Sequence, residues 1–383
     1  MIRDHKIAPW IGAILFAVPM MAGCTALPTF VTAGAPPAQM GQCGKLGGCA
    51  ATFVTGTQGT ALERGDYDAA IASYSEILGT SPNDGDIYRD RGVAYLAKGN
   101  YSAAISDFND AIRIDVSDGL AYNDRGVAYY RKGDYVHAVA DFGQALQIAG
   151  SHFARPVWLA DAYWNRASTF VAEGEYAGAI PDYDKAISII AGAQTAQRAS
   201  QVPEPSPRLA AAHFDRGIAC TLNADYDHAI ADFTMALTLE DPKEPLTYFA
   251  RGNAFYAKGD REDAANDYQS AAQNLADSLA STTGDADTLN AAAWILATCP
   301  EARFRQGVTA IGYAKQACDL TSREKSKYLD TLAASYAENG NFEPAVDAER
   351  EAVSRSLLAV DIAAYRKRLK LYEDHKPYRA DMK

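Results

Sequence analysis

One pattern returns through most of the chain at a fixed spacing. RGVAYLAKGNYSAAISDFNDAI starts at Arg91 and RGVAYYRKGDYVHAVADFGQAL at Arg125, so that Gly92 and Gly126, Ala104 and Ala138, and Phe108 and Phe142 lie 34 residues apart. The pattern recurs from Arg166, Arg216 and Arg251, and a partial copy, ERGDYDAAIASYSEIL, begins at Glu63. Eight units of 34 residues can be laid on the chain, starting at residues 51, 85, 119, 160, 210, 245, 291 and 326. In this register the twentieth position is alanine in every unit: Ala70, Ala104, Ala138, Ala179, Ala229, Ala264, Ala310 and Ala345. The twenty-seventh is alanine in all but the first, which has Ile77. A unit this short cannot bury an apolar face alone. Stacked copies bury one continuous core, so the repeat predicts a solenoid.

Within a unit, the columns describe two antiparallel helices that cross closely. Gly92, Gly126, Gly217 and Gly252 on the first helix are expected to meet the small alanine column on the second. Tyr95, Tyr129, Phe170 and Phe255, with Phe108, Phe142, Tyr183, Phe233 and Tyr268, fill the flanks. Gly99, Gly133, Gly174 and Gly259 mark the turn between helices, where positive φ suits glycine. Period and columns together resemble the tetratricopeptide repeat (TPR) family. The resemblance implies an all-α fold of about sixteen short helices in a right-handed superhelix. The match weakens at both ends. Residues 51–64 contain two glycines and four threonines, which disfavours a full helix, and Pro300 is expected to stop the first helix of unit seven early. Residues 360–372 read as a last, charged amphipathic helix that caps the stack.

The chain begins with an address. Arg3, His5 and Lys6 precede an apolar run, Ile7 to Met21, too short to span a bilayer comfortably but suited to a secretory signal. Ala22-Gly23-Cys24 follows and resembles a bacterial lipobox, with Cys24 as the lipidated residue. Met21 stands where that motif usually has leucine, and an ordinary secreted protein cut a little later is the alternative. Thr25 after the cysteine implies the outer rather than the inner membrane. The resulting layout is a signal peptide at 1–23, a flexible tether at 24–60, units one to four at 61–193 and an insertion at 194–209. Units five and six take 210–278, a linker 279–290, divergent units seven and eight 291–359, and the cap and tail 360–383. Cys43 and Cys49 lie in the tether, spaced for a small disulfide loop or for half of a tetrahedral metal set.

Lys and Arg number 36 against 48 Asp and Glu, a net charge of −12 that argues against a nucleic-acid footprint. Arg91, Arg125, Arg166, Arg216 and Arg251 share the seventh unit position. Asp107, Asp141, Asp182, Asp232 and Asp267 share the twenty-third of the same five units. Their joint presence predicts ion pairs across each helix pair rather than an anion ladder. Other Asp and Glu are expected at solvated positions. No phosphate loop or nucleophile elbow stands out, and the histidines show no ligand spacing, with His213 alone, so the reading is of a protein without enzyme activity, cofactor or metal. Cys220 is read as a small buried hydrophobe. Cys299 and Cys318, on the two helices of unit seven, are left open as a disulfide.

The resemblance implies that first helices line a concave groove through unit positions 2, 5, 6, 9 and 12. These give Arg89, Asp90 and Leu96, then Asn123, Asp124 and Tyr130, then Trp164 and Asn165. Phe214 and Asp215 follow, then Phe249, Asn253 and Tyr256. Aromatic rings with amides and acids suit an extended peptide. The lysines used by TPR proteins that grip C-terminal carboxylates are missing. The expected partner is a protein segment, basic and extended, and the expected role is an interaction scaffold of the cell envelope. The alternative is an accessory role in polysaccharide or cell-wall handling, with groove aromatics on sugars. The rings of Trp164, Phe214 and Phe249 packing against the insertions is a third, purely structural use.

Overall fold

The computed structural model describes residues 65–150, 158–197, 207–239, 244–281 and 285–380. Cys24, Cys43, Cys49 and the first half of unit one lie outside the described residues. Within them the chain forms sixteen α-helices and a short 3₁₀ turn, Ala302–Phe304. Helix α1 (Tyr67–Thr80) is the second helix of unit one. Unit two contributes α2 (Gly85–Ala97) and α3 (Tyr101–Ile114), unit three α4 (Gly119–Lys132) and α5 (Tyr135–Gly150). Unit four contributes α6 (Trp158–Glu173) and α7 (Tyr176–Gln197), unit five α8 (Pro207–Leu222) and α9 (Tyr226–Leu239). Unit six contributes α10 (Pro245–Lys258) and α11 (Arg261–Ser281), and unit seven α12 (Ala286–Thr298) and α13 (Gly307–Leu320). Unit eight contributes α14 (Ser326–Glu338) and α15 (Phe342–Arg355), and α16 (Ala359–Glu373) closes the chain. This is the all-α solenoid that the repeat predicts.

Each helix packs on the next along the chain. First helices of successive units also touch, α2 on α4 and so on to α12 on α14, while second helices of successive units stay further apart. The stack therefore curves with its first helices on the inner side. The alanine column at the twentieth position is fully buried throughout. The glycines of the first helices do not face it, however. A Cβ on Gly126 would lie 2.7 Å from the Phe142 ring, so the large residue of the second helix, not the small one, fills the space the glycine leaves. The turn glycines behave as expected: Gly133 sits at φ +84° and its N–H is held by the Tyr129 and Tyr130 carbonyls. Unit five makes the same turn with Ala224 at φ +60°.

The arginine and aspartate columns pair. In each of the five units the arginine donates through Nε and a terminal nitrogen to both oxygens of the aspartate sixteen residues on, as Arg125 does to Asp141 at 2.7 and 2.6 Å. The aspartates are buried. His213 is not alone, as its sequence position suggested, but bonds Asp232 through Nδ1 at 2.8 Å. Cys220, Cys299 and Cys318 are free and buried. Helix α12 ends at Thr298, ahead of Pro300.

Candidate binding face

The inner face is built from unit positions 5 and 6, and these side chains are largely spent on joining one unit to the next. Arg89 in α2 is buried and donates to Asp118, the N-cap of α4, at 3.0 Å, with Asp86 at 3.2 Å. Asn165 in α6 donates to the Asn123 amide oxygen in α4 at 3.1 Å, and Asn123 donates to Asp124 at 3.2 Å. The Trp164 indole N–H, also in α6, donates to Asp215 in α8 at 2.8 Å. Arg208 and Asp161 tie α8 to α6 once more. A polar ladder thus crosses the seams between first helices. Such buried polar groups need partners, and the neighbouring unit supplies them.

The rings expected to line a groove are enclosed. Trp164 is 1% exposed, Phe214 7% and Phe249 4%. Phe214 meets Phe233 edge-on at 5.3 Å, and Phe249 meets Tyr268 at 5.8 Å. Tyr130 is buried against Tyr135, and Asn253 is buried and accepts from the Tyr268 hydroxyl at 2.9 Å. Position 5 is covered from two sides: by the second helix of its own unit, as Phe233 covers Phe214 and Tyr268 covers Phe249, and by the first helix of the next, as α8 meets Trp164. Trp164, Phe214 and Phe249 thus pack within the repeats' own core.

What stays half-buried on the inner face is Asp90, Asp124, Asp215, Leu96 and Tyr256, the last beneath the Arg261 guanidinium at 3.4 Å. Burial pushes the Asp90 carboxyl up to about 6, against the pull of Arg89, and the Asp124 and Asp215 carboxyls to about 7. Desolvation without a full counter-charge is the cause. Among the described residues neither Asp124 nor Asp215 has a cation within ion-pair distance. The face is therefore acidic, partly protonated near neutral pH, and able to accept hydrogen bonds and positive charge. No group of three or more His, Cys, Asp or Glu among the described residues is placed to hold a metal ion. No described helix is long and apolar enough to cross a membrane.

A second cluster, in units seven and eight, was missed in the sequence. Asp330 (α14), Glu349 (α15) and Arg368 (α16) are buried together, against the expectation that such acids lie in solvent. Arg368 Nε donates to Asp330 at 2.5 Å and lies 3.6 Å from Glu349. Its guanidinium also lies over the Trp294, Tyr365 and Tyr378 rings. Burial and the Asp330 charge hold the Glu349 carboxyl well above the usual range, so it keeps its proton. A signal was present. Asp330 occupies unit position 5, and Glu349 occupies position 24, where units one to six carry a ring.

The tetratricopeptide repeat family matches at residues 60–118, 119–152 and 160–191, so this part of the chain carries TPR repeats. No curated protein matches the chain. Among solved structures, a tetratricopeptide repeat protein from Parabacteroides merdae is 15% identical and matches over 72% of this chain and 94% of its own, with a TM-score of 0.50. YrrB, a TPR protein with an unusual peptide-binding site, is 17% identical over 52% of this chain and 91% of its own, at 0.41. MamA is 25% identical over 49% of this chain and 89% of its own, at 0.39.

Proposed function

We propose that the chain is a non-catalytic scaffold of the bacterial cell envelope that binds an extended, basic and apolar segment of a protein partner on the inner face of units two to five. The observation that carries this reading is the line of Asp90, Asp124 and Asp215. All three are carboxylates at unit position 6, half-buried, and among the described residues none has a cation within ion-pair distance, although the Arg89 charge acts on Asp90 and Asp124. A basic segment would supply the missing charge. The ladder of Arg89, Asn123, Asn165 and Trp164 holds the face rigid, which lowers the entropic cost of binding. The sugar-binding alternative depended on exposed rings, and Trp164, Phe214 and Phe249 are enclosed. Cys24 would carry the lipid that holds the protein to the outer membrane, facing the periplasm.

Capture from envelope extract tests the face. Wild type should retain a partner that the D90N/D124N/D215N variant loses. Equal retention by both, or an acidic contact segment in the partner, overturns the reading. Cys24→Ser should move the protein from the membrane to the soluble periplasmic fraction. Identical fractionation of the two forms would remove the anchor.

A further inference from the structure

The last residues of the fold are seated as a bound peptide would be. Main-chain bonding to α16 ends with the Lys376 N–H, which donates to the Leu371 carbonyl at 2.8 Å. Residues 376–380 then run without helix or strand over the first helices of units seven and eight. Three consecutive residues anchor them. The Tyr378 ring packs 5.7 Å from the Trp294 ring in α12, with the Arg368 guanidinium 5.5 Å from its centre. Arg379 pairs with Glu338, the last residue of α14, at 2.6 Å, and Arg305 holds the other oxygen of that carboxylate at 3.0 Å. The Ala380 N–H donates to the Thr298 carbonyl at 2.9 Å. Tyr378 and Ala380 are buried.

The receiving surface exists because α12 stops early. Pro300 ends the helix, and the carbonyl of its last residue, Thr298, has no helical partner. The strap takes that carbonyl, and Arg305 takes those of Cys299 and Pro300 just beyond the helix. A ring in an aromatic seat, an arginine on a prepositioned carboxylate and a main-chain bond are the elements of extended-peptide recognition.

We propose that this face of units seven and eight is a peptide-binding site whose resident ligand is the chain's own Tyr378-Arg379-Ala380. It takes a partner segment of the same chemistry, extended, with an aromatic residue followed by arginine and a small residue. The site is built from units seven and eight, whereas Asp90, Asp124 and Asp215 belong to units two, three and five, although α16 reaches back to touch α4 of unit three. Because the resident segment is tethered, its effective concentration is on the order of millimolar, so a free segment competes weakly until the strap is unseated.

The full chain carrying Tyr378→Ala and Arg379→Glu tests this, with a fluorescein-labelled peptide of residues 374–383 as probe in an anisotropy titration. The variant should bind the peptide at least tenfold more tightly than wild type does. Adding Glu338→Gln should weaken that binding about tenfold, and a peptide with Arg379→Glu should not bind. A variant that keeps its helical circular dichroism but takes the peptide no better than wild type overturns the proposal. So does a variant that no longer folds, because the strap is then part of the core. Concentration-dependent dimers of wild type in light scattering would make a second copy's tail the partner and overturn the assignment to another protein.

Discussion

Arg125 reaches across its own helix pair to Asp141, and four other units repeat the bond. The aspartate is buried and the guanidinium partly so, which sets the scale of the effect. Arg125→Ala leaves a buried carboxylate without its cation and should cost about 3 kcal/mol. Adding Asp141→Ala should cost less than the sum of the two single changes, because the second removes the stranded charge. Thermal unfolding of the cycle checks both. The turn of unit five offers the opposite sign. Ala224 is held at φ +60°, a conformation costing an L-residue about 1 kcal/mol, where six other units have glycine. Ala224→Gly should therefore raise stability by about 0.5–1 kcal/mol in the same melt. Both features were legible in the sequence, because a repeat compares each residue with its equivalents. What was not legible is which way a side chain leans. Trp164 and Phe214 stand at groove positions, yet a neighbouring helix covers each of them.

The elements of units two to six follow the repeat so closely that period and columns were enough to place them. Units seven and eight depart from it, and there the columns say less about what each residue packs against. Position 24 carries a ring in units one to six, and in unit eight it carries Glu349, buried beside Asp330 under Arg368. Arg368 belongs to α16, outside any column, so the repeat gave no equivalent with which to find its partners. Removing it strands two buried carboxyls, and Arg368→Ala should cost about 3–5 kcal/mol. Glu349 responds differently. Its folded pKa lies well above the unfolded value, so the fold binds more protons than the unfolded chain between the two. Its contribution is fully present below the unfolded pKa near 4.3 and is lost as pH rises through the folded value. Glu349→Gln keeps the neutral shape. It should leave the melting temperature at pH 6 within a degree or two and raise it above wild type under alkaline conditions.

Charge over the whole molecule is uneven. Residues 355–383 carry eight Lys and Arg against four Asp and Glu, while the chain as a whole is at −12. The acidic body should attract basic partners from a distance, and attraction between exposed charges is screened over about 8 Å at physiological ionic strength. Association with a basic segment should therefore slow as salt rises. The inner face adds a pH term of definite sign. Asp90 at about 6 and Asp124 and Asp215 at about 7 are partly protonated near neutrality, and a cation beside them favours the charged form. Binding releases protons, so affinity should rise from pH 5 to pH 8 and then level. Stability runs the other way. Carboxyls raised above their unfolded value near 3.9 favour the fold below that pH, and the benefit fades as pH climbs through 6 to 7. Replacing the three by Asn should flatten both dependences together. At pH 8 the variant should match or exceed wild type in melting temperature and yet associate more slowly at low salt. Stopped-flow association against salt, with melting curves at pH 5 and pH 8, reads the two effects separately. A variant that loses stability at pH 8 would mean that these carboxylates hold the stack together and do not serve a ligand. Unchanged on-rates at low salt would place the partner on another surface.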